Sequence, residues 1–75
     1  MGATVTCYLV RDADPHASPV PGQPSSVGFP HNAMGHGDAR NWAVQNSTGR
    51  ELVVVEIVNG AETGNPEHFE DGRQL

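Results

Sequence analysis

The amino-acid pattern predicts a mainly β protein. We expect a small antiparallel sheet of about three strands, a long irregular Pro/Gly-rich arm and a short C-terminal helical turn. Three observations lead there. Residues 51–58 form an unbroken run rich in β-branched and aliphatic side chains. Five of the six prolines fall within residues 11–40. The tetrapeptide Asn46-Ser47-Thr48-Gly49 carries turn-forming residues between two apolar stretches.

The first strand is expected over residues 3–10. Thr4, Val5, Thr6, Tyr8 and Val10 are β-branched or aromatic, types that suit a pleated, half-buried surface. Strict alternation places Val5, Cys7 and Leu9 on one face and Thr4, Thr6 and Tyr8 on the other.

Residues 11–40 are of a different kind. Pro15, Pro19, Pro21, Pro24 and Pro30 each fix φ and remove a backbone donor, which argues against a regular ladder. Gly22, Gly28, Gly35 and Gly37 add freedom to the same stretch. We therefore expect an irregular arm, polyproline-like in places, with Val20, Val27, Phe29 and Met34 as its few large apolar side chains.

Residues 41–58 are expected to form a β-hairpin. Asn46 suits the first position of a type I turn and Gly49 a following left-handed residue. That register sets Val44 opposite Leu52 and Trp42 opposite Val54. Within 51–58, Val53, Val55 and Ile57 share one face, while Leu52, Val54 and Val58 share the other with Glu56. A strand apolar on both faces is normally covered on both. In residues 59–75, Gly60 and Gly64 mark turns, and Asn65-Pro66-Glu67 has the residues of a helix start, which Gly72 would end.

With 75 residues, we expect one domain: an arm at 11–40, a hairpin at 41–58 and a tail at 59–75. Chains this small usually gain support from disulfides, a metal or association. A disulfide within the chain is excluded, because Cys7 is the only cysteine. Its place in an apolar strand reads as a buried, inert thiol.

The net charge of −5 comes from nine acids against four arginines. With no basic patch, direct nucleic-acid binding is not expected. No stretch of 18 apolar residues and no signal peptide is present, so neither a membrane span nor conventional secretion is expected. The expected location is a virion or the cytoplasm.

His31, His36 and Asp38, with His16 upstream, have metal-ligating side chains, but their spacing fits zinc only loosely and no cysteine pair accompanies them. They read as exposed loop histidines. No nucleophile elbow or Cys–His signature is present, so no catalytic residue, cofactor or metal is assigned. Met1-Gly2-Ala3-Thr4-Val5-Thr6 and Asn46-Ser47-Thr48 fit short lipidation and glycosylation patterns that strand and turn propensity already explain.

The chain is thus expected to be a non-enzymatic structural or interaction protein that meets a protein partner or further copies of itself. The concrete version is a subunit of a larger assembly, such as a minor capsid, decoration or tail component of a bacteriophage virion. The alternative is a small acidic inhibitor or regulator docking on an enzyme or nucleic-acid-binding protein. The expected partner-binding residues are Val20, Val27, Phe29 and Met34 on the arm, and Val53, Val55 and Ile57 on the two-sided strand.

Overall fold

The computed structural model describes residues 6–14, 16 and 26–75. Within them the elements are β1 (Cys7–Asp12), β2 (Ser26–Pro30), α1 (Ala33–Asn46), β3 (Glu51–Val58), β4 (Ala61–Glu70) and β5 (Arg73–Gln74). The sheet is antiparallel at every pairing, in the order β2-β1-β3-β4-β5. The protein is mainly β as expected, but with five strands rather than about three, and with one full helix.

β3 forms where the apolar run predicts it, in the middle of the sheet. It pairs with β1 on one side (Leu9 with Val55, Cys7 with Ile57) and with β4 on the other (Leu52 with Phe69). The first strand, expected over residues 3–10, runs over Cys7–Asp12, and residues 3–5 lie outside the described residues. The two faces of β3 hold the two expected sets. Leu52 and Val54 join Val10, Phe69, Ala39 and Ala43, with Tyr8, Phe29 and Trp42 packed alongside. Val53, Val55 and Ile57 form a second cluster with Cys7, Leu9 and Ala13. Cys7 is half-buried rather than fully enclosed.

Three expectations are corrected. The hairpin at 41–58 does not exist, because residues 33–46 are helical. β2 and β3 both run antiparallel to β1, so they are parallel to each other. Parallel strands need a long crossover, usually a helix, and α1 supplies it. Trp42 still packs in the cluster that holds Val54, but from the helix, while Val44 faces outward. The arm at 11–40 is regular over Ser26–Pro30 and from Ala33 onward; Val20 lies outside the described residues. Finally, Asn65-Pro66-Glu67 does not start a helix but lies within β4.

α1 packs through its smallest side chains. Gly35, Ala39 and Ala43 recur every four residues and are its buried positions. The sheet supplies the bulk through Val10, Leu52, Val54 and Phe69. The helix begins at Asn32, whose side chain accepts a 2.7 Å hydrogen bond from the Gly35 amide. A Cβ on Gly35 would lie 1.8 Å from the Pro30 carbonyl oxygen, so only glycine permits this approach.

Two-residue turns connect the C-terminal strands. Asn59-Gly60 lies between β3 and β4, and Asp71-Gly72 between β4 and β5. All four residues have positive φ, as a type I′ turn requires. Ser47, fully buried, ties the helix exit to the second turn. Its carbonyl accepts from the Asp71 amide at 2.9 Å and its hydroxyl from the Gly72 amide at 2.8 Å. Gly49 does take the expected positive φ of 75°, in the helix-to-strand loop rather than in a hairpin, and its amide donates to Asp71.

Candidate functional site

The most chemically concentrated region lies on the helix-covered face, where α1 begins and β4 departs from β3. Val54 pairs with Glu67 and Glu56 with Thr63, so the single residue Val55 is opposed by three, Gly64, Asn65 and Pro66. This bulge suits its residues: Gly64 has φ 71° and Pro66 has no amide to pair. Beside it opens a cleft of about 270 Å3 lined by Tyr8, His36, Glu56, Thr63, Asn65 and Glu67, over Val54 and Val55.

Tyr8, on β1, lies between two imidazoles. His31, from the loop before α1, stacks on it with ring centres 5.0 Å apart, and His36, from the first turns of α1, at 4.4 Å. Both pairs are nearly parallel, at 14° and 12°. Each imidazole also meets a glutamate of the sheet. His31 Nε2 lies 2.6 Å from Glu56 Oε2, and His36 Nε2 is hydrogen-bonded to Glu67. The two histidines are therefore not free loop residues, as their surroundings in the sequence suggest; they clamp the β2–α1 connection to the sheet.

The hydrogen bond from His31, then that from the Thr63 hydroxyl, hold the Glu56 carboxyl below its ordinary value. Glu56 is thus ionised at neutral pH and His31 is the donor. Glu67 is shared among His36, the Arg40 guanidinium at 3.4 Å and the Gln74 amide at 3.3 Å. Both carboxylates beside the cleft therefore already meet donors of the chain itself, and these links tie α1 and its approach to the sheet. Among the described residues, no three His, Cys, Asp or Glu side chains gather as metal ligands. The sequence marks His31 and His36 as side chains able to bind metal and Glu56 as a charge among apolar residues; nothing in it marks Tyr8, Thr63 or Glu67.

The opposite face carries a bidentate pair. Arg11 on β1 donates to Glu62 on β4 at 2.8 and 2.9 Å, so the link passes over β3, which lies between those strands. The Glu62 carboxylate holds the guanidinium above its ordinary value, and the guanidinium holds Glu62 below its own.

The residues expected to meet a partner are scattered by this fold. Val53, Val55 and Ile57 are buried within the chain. Phe29 packs against the helix-side core, and Val27 is half-buried on β2. Among the described members of that set Met34 alone is open, at 78% exposure, and Val44 joins it on the outer surface of α1 at 40%. Comparison with protein-family models, with curated proteins and with solved structures yields no match. Among the described residues, no helix is long and apolar enough to cross a membrane.

Proposed function

We propose that this protein works by contact with protein, as a structural or regulatory subunit and not as an enzyme. The observation that carries this reading is the outer surface of α1. Met34 and Val44 stand exposed on a helix that already covers the core through its other face. Gly37 lies between them at an exposed position that, among the described residues, nothing outside its own helix approaches within 4 Å. Glycine at such a position costs up to about 1 kcal/mol relative to alanine. An exposed apolar patch around a destabilising glycine suits a surface that another backbone approaches.

The concrete form of the proposal is a subunit of a larger assembly, a minor capsid, decoration or tail component of a bacteriophage virion. A second reading, a small acidic inhibitor docking on a basic partner, is favoured by the net charge of −5. Sedimentation of the chain from its native source separates them. In the assembly reading it pellets with a particle in many copies at fixed stoichiometry. In the inhibitor reading it remains in the supernatant, bound one-to-one to a basic protein. A chain found alone and monomeric in that extract contradicts both.

A further inference from the structure

We propose that Asn59 is a site of spontaneous covalent modification, at which the Gly60 backbone nitrogen displaces the side-chain amide and leaves aspartate or isoaspartate in the β3–β4 turn. The chain has five asparagines, and Asn59 alone precedes glycine. A side chain on the following residue hinders the attack. Proline after Asn65 has no N–H proton to lose.

The Gly60 amide gives its proton to hydroxide, and its nitrogen bonds to Asn59 Cγ. The Cγ–Nδ2 bond breaks, and Nδ2 leaves as ammonia, taking a proton from water. Water then opens the five-membered imide. Addition at Cγ breaks the new bond to nitrogen and leaves aspartate. Addition at the main-chain carbonyl carbon breaks the original peptide bond and leaves isoaspartate, with the chain running through Cγ.

The fold leaves this turn open and closes its twin. Asn59-Gly60 and Asp71-Gly72 share one backbone shape, with φ of 53° and 82° in the first and 51° and 79° in the second. Three hydrogen bonds hold the second to the exit of α1. The Asp71 amide donates to the Ser47 carbonyl at 2.9 Å and the Gly72 amide to the Ser47 hydroxyl at 2.8 Å. The Gly49 amide donates to Asp71 Oδ1 at 2.8 Å. There, the nitrogen that would attack and the carboxyl it would attack are both engaged. Asn59 and Gly60 are exposed, and among the described residues no hydrogen bond reaches the Asn59 side chain or the Gly60 amide.

Turn opening controls the rate. A left-handed residue holds the next nitrogen roughly anti to its own Cβ, so Asn59 must leave that region before the ring closes. β4 is exposed from Ala61 to Pro66, so fraying of this hairpin end uncovers no buried side chain of β4. Opening the second turn instead breaks its three bonds, two of them to the fully buried Ser47.

The test is peptide mapping by mass spectrometry of the full chain held in mildly alkaline buffer, folded and in urea. An Asp71→Asn variant, treated in parallel, places an amide in the second turn. In folded wild type, Asn59 should convert first, with isoaspartate exceeding aspartate and the other four asparagines at least roughly tenfold slower. The amide introduced by Asp71→Asn should also lag Asn59 at least roughly tenfold when folded, and come within about threefold of it in urea. An Asn59 that keeps its amide in folded protein while losing it in urea overturns the proposal. So does equal conversion at the two turns of the folded variant. Where circular dichroism finds the variant unfolded, the wild-type chain alone decides.

Discussion

Gly35→Ala adds one methyl group at the place where α1 rests on the end of β2. The new Cβ would lie 1.8 Å from the Pro30 carbonyl oxygen, 2.7 Å from its carbon and 3.0 Å from its nitrogen. Ordinary contact begins near 3.4 Å, so helix and strand must separate by roughly 1.6 Å, in an interior packed like a crystal. The atoms met are backbone and cannot rotate away. The same oxygen accepts the Asn32 amide at 2.9 Å, and the Gly35 amide is the one that Asn32 caps. Overpacking costs about 1–3 kcal/mol and a disturbed cap about 1 kcal/mol, against a gain of up to about 1 kcal/mol from helix propensity. We expect a net loss of about 2–3 kcal/mol, a fall in melting temperature on the order of 10–20 °C for a domain of this size. Gly37→Ala is the matched control. It makes the same chemical change two residues later, where no described residue outside the helix backbone comes within 4 Å, and should stabilise the protein by about 0.5–1 kcal/mol. Thermal and urea unfolding of dilute protein by circular dichroism measure both. A Gly35→Ala variant as stable as wild type would refute the close approach of α1 to β2.

Further expectations concern the loops and the cleft. Ser47→Ala leaves the Gly72 amide without its acceptor and should cost about 1–3 kcal/mol in urea unfolding; a loss below a few tenths would contradict the coupling of the two loops. Gly49→Val forces a β-branched residue to φ 75° in open space, so any loss is backbone strain, and an unchanged melting temperature would count against that backbone. The Glu56 carboxyl is depressed in the folded state, chiefly by His31 and then by Thr63. Its contribution to stability is therefore complete above the ordinary value of 4.5 and is lost as pH falls through the lower folded value. Glu56→Gln should flatten the stability profile below pH 4.5; equal acid limbs for variant and wild type would contradict the His31–Glu56 link.

The central strand was legible because both of its faces are apolar, and a strand between two others needs nothing more. α1 was not, because its buried face is Gly35, Ala39 and Ala43 while the sheet supplies the large side chains. Such a helix has no stripe of large apolar residues to reveal it, and two glycines argue against it. Proline does not exclude a strand here either: Pro30 ends β2, where a missing donor is tolerated at a sheet edge. In β4, only Phe69 is a buried apolar residue, so the usual alternation is absent and Asn65-Pro66-Glu67 resembles a helix start. The stronger evidence there was Asn59-Gly60 and Asp71-Gly72, both favoured in two-residue hairpins. The sequence singles out His31, His36 and Glu56 but not their meeting with Tyr8 and Glu67, because these residues lie on the β2–α1 stretch, β3, β1 and β4, which only the fold brings together.

The central claim is that this protein works by contact through the outer face of α1. Amide-resolved NMR spectra of the isotope-labelled chain, alone and in extract of its native source, test it most directly, because they report both whether a partner is met and where. The account predicts that resonances of Met34, Gly37, Asn41 and Val44 shift together in the extract, while those of β3 keep their positions. Spectra unchanged in the extract, or shifts confined to the free edge of β2, would contradict it.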